Sequence, residues 1–213
     1  MAVPTPFRDR AEQAAAEDAF GPALPAACRY AALLAAEGVV WGLIGPREVD
    51  RIWSRHLLNS AALSPLIPAG SELLDVGSGA GLPGIPLRLA RPDLSVTLVE
   101  PLQRRVRFLE LCCQTLVLSN VPVLTARAEQ LAGRCTADVV TARAVAPLGR
   151  LLPAVWPLVR PGGQLLAVKG RQAEEELAGC EPPGDLDVPP DVVRRYTAGG
   201  EPLVTVVRFR RAR

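Results

Sequence analysis

Aromatic side chains are scarce: Phe, Tyr and Trp together make up 4% of the 213 residues. So few flat rings argue against a stacking platform for single-stranded nucleic acid. Histidine occurs once, as His56. The five cysteines (Cys28, Cys112, Cys113, Cys135 and Cys180) are odd in number and form neither a C-x-x-C pair nor a His–Cys cluster. A disulfide framework and a zinc site are therefore not expected, and reduced thiols in a cytoplasmic protein are. The opening MAVPTPFRDR lacks the apolar stretch of a signal peptide. No run approaches the ~20 apolar residues that cross a bilayer, so no membrane contact is expected. An excess of one charge is missing too: 24 Lys and Arg against 22 Asp and Glu leave a net +2. That is too little to coat DNA by bulk charge, although a local basic patch on an RNA enzyme stays open.

What is present is a foldable chain. Apolar residues reach 49% and charged residues 22%, enough for a full core and too few charges for a disordered segment. The length suits one domain with an appendage. Residues 1–68 read as a helical extension, with Ala-rich stretches at Ala11–Phe20 and Pro25–Glu37. Pro46 then opens a segment in which Val49, Trp53, His56, Ser60 and Leu63 recur every three or four residues, the face of an amphipathic helix ending near Pro65. Residues 69–213 form the second unit. Strands are expected at 72–76, 95–100, 121–126, 138–141 and 164–169, with helices at 104–118 and 148–158 between them. Pro161-Gly162-Gly163 reads as a turn before the fifth strand. Alternating strands and helices imply a doubly wound α/β fold around a mostly parallel sheet. A helix at 172–177, a Pro/Gly-rich loop at 179–190 and two strands joined at Ala198-Gly-Gly200 close the chain with a hairpin.

The most informative stretch is Leu73-Leu-Asp-Val-Gly-Ser-Gly-Ala-Gly-Leu-Pro-Gly-Ile-Pro86. A strand running into glycines and then a helix lets the backbone approach a nucleotide-like ligand closely. Two registers fit. Gly79, Gly81 and Gly84 satisfy the dinucleotide pattern G-x-G-x-x-G, whereas Gly77, Gly79 and Gly81 satisfy G-x-G-x-G preceded by Asp75. The second is preferred. An acid two residues before the glycines is awkward beside a pyrophosphate and suits the ammonium of S-adenosylmethionine. Glu100, which ends the second strand, can accept hydrogen bonds from ribose hydroxyls, a feature NAD sites share. The terminal hairpin favours the methyltransferase form of the sheet.

Two further strand ends face the same ligand, since open parallel sheets bind at the carboxyl ends of their strands. After the third strand, the Ala128 backbone and the Glu129 side chain are placed to read an adenine edge; a helix N-terminal acid explains Glu129 equally well. After the fourth, Arg143 is placed to hold the methionine carboxylate or an RNA phosphate, both of which suit a guanidinium fork. His56, with helical neighbours Val49, Trp53 and Ser60, reads as a packed residue and not as a catalytic base.

These motifs, taken in order, resemble the family of small-subunit ribosomal RNA guanine-N7 methyltransferases, also called glucose-inhibited division protein B. LLDVGSGAGLPGIPL, LVEPLQRRVRFLE, ARAEQL, TARAVAPL and LLAVKG carry the likeness, GLIGPREVDRIWSRHLLNS supports it, and its actinobacterial branch is the most similar. The resemblance implies a seven-stranded class I S-adenosylmethionine-dependent methyltransferase that methylates N7 of one guanine in 16S ribosomal RNA, with the small ribosomal subunit or its precursor as partner and no metal. It implies cofactor contacts at Gly77, Leu82, Glu100, Ala128, Glu129 and Arg143, to which the glycine register adds Asp75 and Gly79. It places Lys169, Arg143 and His56 on the substrate side, with Arg143 serving catalysis by orientation and electrostatics. Much of the family reads H-x-x-D-S where this chain has His56-Leu-Leu-Asn59-Ser60. Three rival functions share these residues: a small-molecule methyltransferase, an NAD-dependent oxidoreductase in the other glycine register, and an RNA-binding assembly factor without turnover. Arg104, Arg105, Arg107, Arg208, Arg210, Arg211 and Arg213 form a set able to steer phosphate.

Overall fold

The computed structural model describes residues 7–198, 200 and 202–213. The opening six residues and Gly199 of the hairpin turn lie outside these. The extension begins with α1 (Arg10–Phe20), whose first turn is capped by the Asp9 carboxylate on the Glu12 N–H at 2.8 Å. A 3₁₀ turn, Gly21–Ala23, leads into α2 (Leu24–Leu33), which continues as a π-helical turn, Leu34–Gly38. By length and mean hydropathy, 1.2 over 18 residues, the stretch Arg10–Gly38 passes for a membrane span, a test that a core helix also meets. Here it is bent at Gly21 and buries Ala16, Phe20, Ala27, Tyr30 and Leu34 in the core.

The expected amphipathic helix after Pro46 is differently wound. Pro46–Arg51 is a 3₁₀ helix and Ile52–Leu58 a π-helical turn, passing into the short α3 (Asn59–Ala61). The predicted face is the buried one: Trp53, His56, Ser60 and Leu63 are all buried. The π turn carries two of the Arg143 acceptors, the Arg55 carbonyl and His56 Nδ1, and Asn59 and Ser60 follow in α3.

The second unit follows the alternation read from the sequence: β1 (Glu72–Val76), α4 (Gly84–Ala90), β2 (Ser95–Val99), α5 (Gln103–Thr115), β3 (Val123–Leu124), α6 (Ala128–Leu131), β4 (Ala137–Arg143), α7 (Leu148–Val155), β5 (Val159–Lys169), α8 (Ala173–Ala178), β6 (Leu186–Tyr196) and β7 (Pro202–Arg211). Among the described residues the seven strands form one sheet in the order β3-β2-β1-β4-β5-β7-β6. β1 to β5 are parallel, and the terminal hairpin adds β7 antiparallel to β5 and β6 antiparallel to β7. Several boundaries differ from expectation: β3 is shorter than 121–126, α5 ends at Thr115 and not at 118, β4 is longer than 138–141, and two further differences involve prolines. Pro161–Gly163 is a bulge inside β5, where the register against β4 shifts between Ala137 and Val139. Pro189 and Pro190 lie in β6, not in a loop; β6 is the sheet edge, where a missing N–H is tolerated.

Strand alternation sends Leu73, Leu98, Val139 and Leu166 to one face and Leu74, Val99, Val140 and Leu165 to the other. The first face packs on α4, α5 and the whole extension in one continuous apolar cluster, and α7 covers the second. The extension is thus part of the core that seats β1, which bears directly on the loop following it.

Candidate active site

The glycine loop leaves β1 through residues held by the strands beside it. The Gly77 and Ser78 N–H groups both donate to the Val99 carbonyl, at 2.8 and 3.0 Å. Gly77, Gly79 and Gly81 have φ of +69°, +58° and +95°, backbone that disfavours side chains. A Cβ on Gly77 would lie 2.6 Å from Val145 Cγ2, and one on Gly84 would lie 2.4 Å from Leu98 Cδ2 and 2.8 Å from Asp75 Oδ2. Gly84 therefore sets how closely α4 approaches β1, while Gly77 keeps the cleft wall open beside Val145.

Asp75 does not face this cleft. It is fully buried, and the alternation that sends Leu73 toward α4 sends Asp75 the same way. Its Oδ2 accepts the Gly84 N–H at 3.1 Å, and its Oδ1 accepts the hydroxyl of Thr141, its register partner on β4, at 2.9 Å. Burial raises its pKa to about 6, opposed by the hydrogen bonds from Thr141, Gly84 and Ser78. Where the sequence suggested an ammonium partner, the structure gives Asp75 the task of tying loop, helix and neighbouring strand together.

Tyr30, which sequence reasoning passed over, holds the loop from the other side. Its fully buried hydroxyl donates to the Ala80 carbonyl at 2.7 Å. Fifty positions separate the two residues, so no local pattern announces the contact.

The cleft in front of the loop has a volume of about 1000 Å³ and brings together Gly77, Gly79, Leu82, Glu100, Ala128, Glu129, Arg143 and His56. Lys169 and Asp75 are not on its wall. Glu100, 1% exposed, accepts the Gly79 N–H through Oε2 and the Leu102 N–H through Oε1, both at 3.0 Å. A carboxylate has about four lone-pair sites, so two remain for hydroxyl donors. Arg55, Arg105, Arg127 and Arg150 also line the cleft, giving it a basic rim.

Arg143 closes the far end. Its Nη2 lies 2.9 Å from His56 Nδ1 and donates to the Arg55 carbonyl at 3.1 Å; its Nη1 donates to Asn59 Oδ1 at 3.3 Å and Ser60 Oγ at 3.4 Å. Asn59 in turn donates to the Leu203 carbonyl. Burial lowers the Arg143 pKa. Lys169 sits behind the turn after β4: its Nζ donates to the Ala146 carbonyl at 2.6 Å and pairs with Glu176 at 2.8 Å, and Glu176 also accepts the Leu148 N–H. It braces that turn from outside the cleft.

Of the arginine set, Arg105 lines the cleft and pairs with Glu100 at 3.8 Å, and Arg104 and Arg107 are exposed on α5. The tail arginines are elsewhere. β7 runs against β5, with Arg210 opposite Gln164 and Thr205 opposite Lys169, so Arg208–Arg213 point away from the carboxyl ends of the parallel strands. Arg208 and Arg210 pair with Asp191, and Arg211 pairs with Asp185.

The family model described as rRNA small subunit methyltransferase G matches residues 23–182. The chain belongs to this family. Ribosomal RNA small subunit methyltransferase G of Thermobifida fusca is 53% identical over 196 residues, 91% of this chain and 83% of that protein. The protein of the same name from Streptomyces coelicolor is 52% identical over 205 residues, 91% and 82% of the two chains. Among solved structures, a precorrin-6y C5,15-methyltransferase from Geobacter metallireducens is similar at a TM-score of 0.52 and 18% identity, covering 80% of this chain and 91% of that one. TrmN from Thermus thermophilus is similar at 0.53 and 23% identity, covering 72% and 48%. These structural likenesses show the fold alone, and it is that of the class I S-adenosylmethionine-dependent methyltransferases. The family is one of methyltransferases that use this cofactor, and the cleft fits it: a side-chain-free wall at Gly77, a carboxylate with acceptor sites to spare at Glu100, and a guanidinium at the opposite end.

Proposed function

We propose that the chain transfers a methyl group from S-adenosylmethionine to N7 of a guanine in 16S ribosomal RNA. The observation that carries this reading is the glycine-walled cleft running from Glu100 to Arg143 in a member of the rRNA small subunit methyltransferase G family. Gly77, Gly79 and Leu82 form the wall against the cofactor. Glu100 accepts from its ribose, Ala128 and Glu129 meet the adenine edge, and Arg143 meets an anionic group. When bound, S-adenosylmethionine supplies an electrophilic methyl group on a sulfonium sulfur. Guanine N7 has an in-plane lone pair, so no residue has to remove a proton. His56 suits this requirement, being enclosed between Glu48 and Arg143 and not free to act as a base. The residues therefore act by placement, which can supply ~7–11 kcal/mol of the barrier reduction. Arg143 orients by charge, while Lys169 serves the substrate side by holding the turn after β4. The small subunit or its precursor is the substrate, in the cytoplasm, and the basic rim steers its phosphates.

The test is mass mapping of modified nucleotides in 16S ribosomal RNA from cells with and without the gene for this chain. Loss of a single N7-methylguanosine, restored by the wild-type chain and not by Gly77→Asp, is the expected result. An unchanged 16S map overturns the reading.

A further inference from the structure

Methyl transfer to N7 leaves one buried cluster at the cleft wall without a task of its own. His56 is 5% exposed, yet both its ring nitrogens are engaged: Nε2 lies 3.0 Å from Glu48 Oε2, and Nδ1 lies 2.9 Å from Arg143 Nη2. A guanidinium has no lone pair to offer, and an ionised carboxylate has no proton to give. One protonation state satisfies both neighbours: a neutral ring with its proton on Nε2, donating to Glu48 and accepting from Arg143 at Nδ1. An imidazolium would set an N–H against the guanidinium N–H groups.

The surroundings make this acceptor important. Arg143 forms no ion pair among the described residues, and its other partners are the neutral oxygens of Arg55, Asn59 and Ser60. Nδ1 is its nearest acceptor. The charged groups facing the imidazole are Glu48 and Arg55 from the extension and Arg143 from β4, with Tyr30 and Asp75 acting on Arg143 itself. The Arg55 side chain reaches Glu48 Oε1 at 3.4 Å, so the carboxylate is fixed on both oxygens.

We propose that Glu48 and His56 are positioning residues: Glu48 holds the imidazole in its Nε2–H form, and the bare Nδ1 pins the Arg143 guanidinium at the cleft wall in the orientation that meets the ligand. The proposal rests on the cofactor reading of the cleft, and its test separates the two.

His56 is the only histidine, so nitrogen NMR of the untagged, labelled chain reports one ring. The expected spectrum at neutral pH is the neutral Nε2–H tautomer; an Nδ1–H tautomer or an imidazolium overturns the proposal. Calorimetry with S-adenosylhomocysteine then compares the wild type with His56→Leu, His56→Gln and Glu48→Ala. Loss of a hydrogen bond to a charged group predicts about tenfold weaker binding in His56→Leu and Glu48→Ala. Glutamine carries an acceptor and a donor at similar spacing, so His56→Gln recovers most of the affinity. Equal weakening in the Gln and Leu variants, or undiminished binding in Glu48→Ala, overturns the proposal. Glu48 is 32% exposed, so its variant keeps the test intact where His56→Leu does not fold. Failure of the wild type to bind S-adenosylhomocysteine removes the cofactor reading instead, and the ring tautomer then decides for or against the Glu48–His56 pair.

Discussion

Asp75 and His56 are both buried, and burial shifts their pKa values in opposite directions. Burial raises the Asp75 pKa to about 6, so between about pH 4 and 6 the folded chain binds more protons than the unfolded one. Its contribution is complete at low pH and is lost as pH rises through about 6. Burial, and then the charge of Arg143, lower the His56 pKa to about 4 against the pull of Glu48. Its contribution is complete above about 6.5 and is lost as pH falls toward 4. The two slopes oppose, and the wild type should show a shallow profile. Relative to wild type, Asp75→Asn should gain roughly 3 kcal/mol in unfolding free energy as pH rises from 4 to 6.5, and His56→Gln should gain a comparable amount as pH falls across that range. Urea unfolding at each pH checks this, and profiles parallel to wild type would refute it. Tyr30→Phe strands the Ala80 carbonyl, which should cost about 1–3 kcal/mol and weaken S-adenosylhomocysteine binding in calorimetry. The inward direction of Asp75 was legible in the alternation of β1, although its place before the glycines suggested a ligand contact. Tyr30 was not legible, because only tertiary folding brings it to the loop.

At the scale of elements, the glycine loop divides its work. Gly84→Ala would drive a methyl group into Leu98 and Asp75. It should destabilise the chain by about 1–3 kcal/mol through separation of α4 from β1, visible as a lower melting temperature. Gly77→Ala puts an alanine in left-handed backbone and against Val145, so it should cost about 1–2 kcal/mol and, because Val145 stands at the cleft wall, weaken ligand binding as well. β1 matched its expected limits because a short apolar run bounded by turn residues is a strong local signal. The winding of Pro46–Ala61 was not readable in that way. Its hydrophobic face is the same for neighbouring helix types, and its partner Arg143 lies far along the chain on β4. β6 exceeded its expected length because two prolines read as a loop, and their tolerance depends on the strand being at an edge, a property of the finished sheet.

At the scale of the molecule, overall charge says little about where RNA would bind, while topology says more. The arginines of the cleft rim stand at the carboxyl ends of the parallel strands; those of the tail are paired with acids at the opposite end. Removing Arg127 and Arg150 together should flatten the dependence of ribosomal RNA affinity on log salt by about 1–2 units, whereas removing Arg208 and Arg210 should leave it unchanged. Filter binding across a salt series distinguishes the two pairs. The fold class was legible from the alternation and the terminal hairpin, whereas the order of the strands was not. The sharing of one core between extension and sheet was not, since a helical appendage and an integral layer have the same local pattern. Lys169, bracing the turn after β4, is also the only lysine in the chain. An amine-selective acylating reagent therefore has one side chain to find, and it finds that one only when the ammonium leaves Glu176 and Ala146. Labelling kinetics at this single position become a clock for the opening of the wall beside Arg143, read without introducing a probe.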